Sequence, residues 1–395
     1  MSNIVAKTGN EAMAEAMRQI NPDVVAAYPI SPATEIVQIF STFVSGGKVD
    51  TIFVPTESEH SAISACIGAA AAGARVMTST SSQGLALMHE ILFIASGLRL
   101  PIVMCEVNRA LSAPINIHCD HSDTMASRDA GWIQIFSEDS QEAYDQTILA
   151  MKISEDLFIP VMVTTDGFII SHAMSRLEMY ENIDVQNYIG EHKTPYNILD
   201  IDKPITVGSL VLQDYYMEIK RQQADAMMKA KEKIKELYVD FNKKMKKNYN
   251  VIEKYFMDDA EYAIVALGST AGTARYLCEK LREKGERVGI VKPRVFRPFF
   301  ATEIVEILEN VKGIAVLDRS DMMSSSGGHL FNEIKSAFYR NNRQPAMRNY
   351  IYGLGGRDIT VGDIEDMLKD IKNFAISKEK TPDIKYITVR EQEKK

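Results

Sequence analysis

Short apolar runs bounded by Gly, Pro, Ser and Thr recur through the first part of the chain, with helically spaced stretches between them. Val24 to Tyr28, Thr51 to Pro55, Arg75 to Ser79, Pro101 to Glu106 and Pro160 to Thr164 are short and apolar on successive positions, which predicts strands buried on both faces. Thr34 to Phe43, Ser61 to Ala72 and the stretch opened by the Ser/Thr-rich turn to Gly84 read as helices. Strand and helix in alternation predict an open, mainly parallel α/β sheet over residues 1–190. The Ser61 to Ala72 helix is built almost wholly of small residues, so another backbone can approach it closely, within the domain or across a subunit interface.

The pattern changes between residues 191 and 258. Gln213 to Lys247 is long and charge-dense, with Tyr216, Ile219, Met227, Met228, Ile234, Leu237 and Phe241 at helical spacing, and predicts an amphipathic helix linking two domains. A second α/β unit is expected over 259–395. Its strands are Tyr262 to Leu267, Arg287 to Lys292 and Gly313 to Asp318; its helices are Thr273 to Lys284, Thr302 to Leu308 and Gly328 to Tyr339. The charged last residues are expected to fray. The fold class is thus α/β, two domains with open, mainly parallel sheets.

Composition narrows the partners. A net charge of -8 disfavours nucleic acid and anionic membrane surfaces. The N-terminal stretch lacks the basic flank and apolar run of a secretory signal, and no stretch reaches the ~18 apolar residues that span a bilayer, so a cytoplasmic protein is expected. The four cysteines, Cys66, Cys105, Cys119 and Cys278, are scattered with no CxxC, which argues against disulfides, zinc or an iron–sulfur cluster on this chain. Cys66 and Cys105 read as small core residues.

Familiar cofactor signatures are missing. Gly268 and Gly272 do not make GxGxxG, and neither GxxxxGK[ST] nor HExxH occurs. His118 to Asp123 carries metal-capable side chains but reads as a hydrogen-bonded turn, and no metal site is assigned. The informative segments are Tyr28-Pro29-Ile30-Ser31-Pro32, Glu57-Ser58-Glu59-His60, Thr80-Ser81-Ser82-Gln83-Gly84 and Asn108-Arg109-Ala110-Leu111-Ser112, each following a predicted strand. Ligands of open parallel sheets bind at the carboxyl ends of the strands, so these loops can share one crevice. Helix capping by Ser31, Thr56 and Ser82 is the plainer explanation of three of them. It does not explain Arg109, for which a structural ion pair is the alternative.

These motifs, with Asp120-His121-Ser122-Asp123, Gly131-Trp132, Asp166-Gly167-Phe168, Ile290 to Pro298 and Gly353 to Asp358, resemble the alpha subunit of multi-subunit pyruvate:ferredoxin oxidoreductases along essentially the whole chain. The resemblance implies a first domain that binds the pyrimidine ring of thiamine diphosphate and a second resembling the transketolase C-terminal module. It implies that a beta subunit holds the diphosphate and Mg2+, that [4Fe-4S] clusters sit on partner subunits among beta, gamma and delta, and that coenzyme A is co-substrate and ferredoxin the electron acceptor. In keeping with this, the chain has no GDG followed some 25–30 residues later by Asn.

The resemblance maps the cofactor-activating carboxylate onto Glu59, with Glu57 the nearest rival. A carboxyl in that role hydrogen-bonds the pyrimidine ring nitrogen, so that the neighbouring nitrogen can take a proton from the thiazolium, and it needs shielding from water. Arg109 falls on the family's substrate-carboxylate arginine, whose planar fork a lysine would not reproduce. Ser31 stands where many relatives carry threonine, which keeps the hydroxyl, loses the methyl and leaves the choice of 2-oxoacid open. Pro29, Ser31, Ser82, Gln83 and Gly84 complete the expected cofactor-binding set with Glu59. A 2-oxoisovalerate or 2-oxoglutarate enzyme, a subunit without ferredoxin, and a non-catalytic scaffold are the rival readings.

Overall fold

The computed structural model describes residues 3–377 and 383–390. The apolar runs of the first domain are strands, each within a residue or two of its expected bounds. They form a seven-stranded sheet in the order Val295–Arg297, Ile133–Phe136, Val161–Asp166, Ile102–Asn108, Val76–Thr80, Val24–Ala27, Ile52–Pro55. Every pairing is parallel except that of Val295–Arg297 with Ile133–Phe136. The sequence pattern does not single out these two: Gln134 interrupts one, and the other is only three residues long. Val295–Arg297 reaches the first sheet from beyond residue 259, so the chain does not divide cleanly there.

Two further helices, Gly9–Ile20 and Ser140–Leu157, pack on one another against this sheet. Their apolar spacing is interrupted by residues that are polar yet buried, among them Asn10, Gln19, Asp145 and Gln146. Burial of polar side chains inside a hydrogen-bonded network hides a helix from periodicity. Tyr144 and Gln19 bond to each other, and Tyr180 and Tyr249 both donate to Asp145 at 2.6 Å.

The linking helix runs Gln213–Met245, close to expectation. Only its second half is buried, through Ala230, Ile234, Leu237, Tyr238 and Phe241 against the Ser140–Leu157 helix, while Lys235 pairs with Glu303 of the second domain.

The second sheet has six strands in the order Ile384–Tyr386, Ala346–Ile351, Gly313–Asp318, Tyr262–Val265, Val288–Pro293, Ile252–Tyr255, the last antiparallel to its neighbour and the rest parallel. The charged tail expected to fray contributes Ile384–Tyr386 to the sheet edge, because Ala346–Ile351 offers it an open ladder; residues 391–395 lie outside the described residues. The helix expected from Thr273 starts at Thr270, and Val361–Ile376, opened by a Thr360/Asp363 capping box, had not been read at all. Among the described residues no helix is long and apolar enough to cross a membrane.

One apolar core is continuous across both domains: Ile133, Phe136 and Ile148 belong to the same cluster as Val291, Val295, Phe296 and Phe300. Beside it a buried ionic cluster joins the two. Lys292 donates to Glu138 and Glu142, each at 2.7 Å, and Arg294 to Glu142 and Glu253, each at 2.8 Å. Burial alone would raise the Glu142 carboxyl, but Arg294 and Lys292 hold it down at about 2. A depressed carboxylate stabilises the fold fully above its unfolded value and loses that contribution as pH falls through the folded one. Stability measured by denaturant titration should therefore decline between about pH 4.5 and 2, and Glu142→Gln should flatten that decline.

Candidate active site

Val24–Ala27, Ile52–Pro55, Val76–Thr80 and Ile102–Asn108 are sheet neighbours and all parallel, so the four loops leaving their carboxyl ends lie side by side. The strand order reverses about Val24–Ala27, the kind of point where open sheets leave a crevice. The loops meet in pairs: Gly84 lies against Glu59, and Arg109 bonds Ser31.

Capping does not account for these loops. The Glu59–Ala71 helix is capped by Ser58, whose hydroxyl accepts from the Ser61 amide at 3.2 Å, while the Thr56 hydroxyl donates to the Ser58 carbonyl at 2.9 Å. The flanking helices, Thr34–Ser45 and Ser82–Leu87, begin after Ala33 and Ser81, neither of which makes a side-chain cap, so Ser31 and Ser82 are free of that duty.

Glu59 opens its helix and is 6% exposed. Among the described residues no hydrogen bond or ion pair reaches its carboxylate. The closeness of Gly84 explains how the side chain fits: a Cβ there would stand 2.8 Å from both Cγ and Oε1 of Glu59 and 2.4 Å from Thr80 Oγ1. Only glycine leaves that space. Glu57 is exposed and bonds the Ser61 hydroxyl, which lowers its pKa. Of the two acids only Glu59 is shielded and uncommitted.

Arg109 is buried, and carbonyls rather than carboxylates hold its guanidinium. Nε donates to Asn116 O at 2.7 Å and Nη1 to Ser31 O at 2.9 Å, while Nη2 has no partner among the described residues. The structural ion pair weighed as its alternative is not what holds it. Burial draws its pKa down and Asp123 opposes that, but a guanidinium stays charged across any working pH. Pro29 and Ser31 are exposed, and among the described residues the Ser31 hydroxyl bonds nothing.

Ser82, Gln83 and Gly84 do different jobs. Ser82, at φ 46°, spends its amide on Asp123 at 3.0 Å and its hydroxyl on Ala110 O at 2.7 Å, so its polar groups are committed inside the chain. Gln83 donates to Ser112 Oγ at 2.7 Å and keeps a buried Oε1 without a partner.

Sequence reasoning gave Asp123 no site role, although it organises the loops. Its carboxylate accepts from the amides of Ser82 (3.0 Å), Arg109 (2.8 Å) and Thr124 (2.7 Å) and from Asn108 Nδ2 at 3.0 Å. Glu106 lies beneath it, fully buried, its pKa raised well above the usual range by burial and then by the neighbouring Asp123 charge. An acid on an otherwise apolar strand was the available signal.

The His118 to Asp123 turn meets the second domain. Cys119, His121 and Asp166 hold their ligand atoms within 4.8 Å of one another, but Arg319 Nη1 donates to Asp166 at 3.1 Å and His121 Nε2 lies 2.8 Å from the same carboxylate. A guanidinium already supplies the cation there. The turn at Gly268 also meets this cluster: the Ser269 amide donates to Asp166 at 3.1 Å. All four cysteines are free and buried, with Cys66 and Cys105 pushed up to about 12 by burial.

Residues 15–238 match the family described as pyruvate flavodoxin/ferredoxin oxidoreductase, thiamine diphosphate-binding, and residues 260–364 match pyruvate:ferredoxin oxidoreductase core domain II. The pyruvate synthase subunit PorA of Thermotoga maritima is 52% identical over 371 residues, 93% of this chain and 94% of the relative. This chain belongs to the pyruvate:ferredoxin oxidoreductase family. Other members are PorA of Methanocaldococcus jannaschii, 44% identical over 94% of this chain and 96% of that protein, and the ketoisovalerate oxidoreductase subunit VorA of Pyrococcus abyssi, 44% identical over 92% of each. Among solved structures, a 2-oxoglutarate:ferredoxin oxidoreductase from Magnetococcus marinus superposes with a TM-score of 0.73 at 19% identity, covering 94% of this chain and 65% of that one. At that identity the likeness is one of fold. Family membership places a thiamine-diphosphate-binding domain over the seven-stranded sheet, where Glu59 and Arg109 lie.

Proposed function

We propose that this chain is the alpha subunit of a pyruvate:ferredoxin oxidoreductase, which converts pyruvate, coenzyme A and two oxidised ferredoxins to acetyl-CoA, CO2, two reduced ferredoxins and a proton, reversibly. The observation that carries the reading is Glu59: a carboxylate 6% exposed, without a partner among the described residues, seated against a glycine at the carboxyl ends of a parallel sheet. A shielded carboxyl suits an aminopyrimidine: it would share a proton with the ring nitrogen, which lets the exocyclic amine on the far side of the ring act as the base. When bound, thiamine diphosphate supplies the carbon nucleophile and electron sink for decarboxylation.

The chain's own residues bind and orient. Glu59 would hydrogen-bond the pyrimidine ring nitrogen, and the backbone at Gly84 would leave the ring face open. Arg109 would take the 2-oxoacid carboxylate on its uncommitted Nη2, with the exposed Ser31 hydroxyl beside it. Pro29 and Gln83 would complete the pocket wall, and Ser82 would shape it through Asp123 rather than by direct contact. Domain roles follow: pyrimidine binding in the first unit, support from the second, with residues 191–258 linking them. Magnesium and the diphosphate would lie on the beta subunit, and iron–sulfur clusters on partner subunits, since the four cysteines here are buried and apart. A cytoplasmic setting suits a ferredoxin-coupled enzyme.

A second reading, a 2-oxoisovalerate enzyme, is kept in play by one fact: a VorA relative matches at 44%, as one PorA relative does, although the PorA of Thermotoga maritima stands at 52%. The test follows viologen reduction by the assembled complex with pyruvate, 2-oxoisovalerate and 2-oxoglutarate. Pyruvate should give the highest kcat/KM. Arg109→Ala should raise KM for pyruvate about 10–100-fold, the worth of one or two charge-assisted hydrogen bonds. Preference for 2-oxoisovalerate would hand the assignment to the second reading.

A further inference from the structure

Between Arg109 and Ser122 the chain leaves the sheet and comes back, closed at its base by the Ala110 amide donating to His118 O at 3.0 Å. The tip is exposed: Ile115 and Ile117 are 79% and 47% accessible. Within the first domain Gln83 holds Ser112 and the His118 amide donates to Asn116 Oδ1 at 2.7 Å, and the rest of its hold comes from the second domain. Asn116 Nδ2 donates to Gly355 O at 2.9 Å, the Gly355 amide donates to Asp120 Oδ2 at 3.1 Å, and the His121 amide donates to Arg319 O at 2.9 Å. Asp120 in turn accepts from the Ser122 amide at 2.9 Å, and Ser122 Oγ accepts from the Leu111 amide at 2.9 Å.

Asn116 faces both ways. Its side chain is held by Gly355, and its backbone carbonyl accepts from Arg109 Nε at 2.7 Å. The fit admits no side chain on the other partner: Gly355 has φ 63°, and a Cβ there would stand 2.5 Å from Asn116 Nδ2. At Gly356, φ 82°, a Cβ would stand 2.2 Å from His118 Cβ. Two consecutive glycines therefore let the second domain's turn lie directly on this loop.

We infer that the Gly353 to Asp358 segment of the second domain is a positioning element for Arg109, acting through Asn116. The inference rests on the reading of Arg109 as the 2-oxoacid carboxylate site. Two neutral carbonyls, Ser31 O and Asn116 O, aim the guanidinium without neutralising it, so its full charge stays available to a carboxylate. One of those carbonyls is set by a residue more than two hundred positions away in sequence. The second domain thus governs substrate affinity without touching substrate.

The test uses the assembled complex with Arg109→Ala, Asn116→Ala, Gly355→Ala and the Asn116→Ala/Gly355→Ala double variant. Kinetics are read with pyruvate, and thiamine diphosphate affinity by fluorescence titration. Asn116→Ala sits on an exposed loop and should fold. It should raise the pyruvate KM about tenfold, the worth of one hydrogen bond, with kcat within about twofold and cofactor affinity unchanged. Gly355→Ala should do the same, and the double variant should be no worse than the poorer single one, because both break one link. If Arg109→Ala raises KM while Asn116→Ala and Gly355→Ala do not, or lower only thermal stability, the positioning role is overturned and the reading of Arg109 stands. If Arg109→Ala leaves KM unchanged, the reading of Arg109 fails and the inference with it.

Discussion

Glu59→Gln in the assembled complex is expected to lower viologen or ferredoxin reduction by about 10²–10⁴-fold with every 2-oxoacid offered, the range set by loss of one positioned acid–base group. The substitution is nearly isosteric, so the contact with Gly84 and the helix start at Ser58 are retained. What changes is the proton: a carboxyl can exchange one with a ring nitrogen, and a carboxamide cannot. Binding of thiamine diphosphate should weaken far less than turnover, which separates a chemical role from a lost pocket. Gly84→Ala should cause a loss by another route, since its methyl would displace the Glu59 carboxylate. Near-normal turnover by Glu59→Gln would remove the carboxyl from the chemistry and require a different residue for pyrimidine binding.

The largest stability effect is expected at Asp166. This fully buried carboxylate receives His121, Arg319 and the Ser269 amide and hydroxyl, and thereby joins the end of a first-sheet strand to two loops of the second domain. Burial alone would raise its pKa; His121 and then Arg319 and Ser269 hold it well below the usual carboxylate range. Asp166→Ala would leave Arg319 buried without its countercharge, a loss of about 3–5 kcal/mol when one partner of a buried pair is removed. Asp166→Asn, which keeps the shape and one acceptor, should lose less. Denaturant midpoints of the three proteins measure this, with the difference largest at neutral pH and shrinking in acid as the carboxylate is protonated. Equal midpoints would mean that the shared apolar core, not this junction, holds the domains together.

How much could be read in advance differed by element. The first domain's strands were legible because each is a short, largely apolar run bounded by turn residues, a signal that needs no partner to be recognised; the edge strand Ile52–Pro55 departs from the expected burial on both faces, with Ile52 66% exposed. Ile133–Phe136 was passed over although its four residues are buried, because Gln134 breaks the run; its amide donates to Thr124 O at 2.9 Å. Helices Gly9–Ile20 and Ser140–Leu157 were hidden by polar residues whose partners lie on other elements. The candidate site differs in the same way from residue to residue. Glu59 and Arg109 stand at the ends of readable strands, whereas the role of Asp123 depends on two amides from two other segments, those of Ser82 and Arg109.

Local sequence was thus enough for the α/β class, the parallel first sheet, the linking helix, and the placing of Glu59, Arg109 and Ser31 on loops at one edge of that sheet. Periodicity and turn chemistry act over a few residues, and these features are written at that range. Tertiary structure alone decided that Val295–Arg297 would complete the first sheet, that Ser82 would turn its polar groups inward to Ala110 and Asp123, and that Gly355 would brace the loop bearing Arg109. Each of those joins segments far apart in the chain. A hydrogen bond across such a separation leaves no pattern in either segment, because what selects it is the packing that brings the two together.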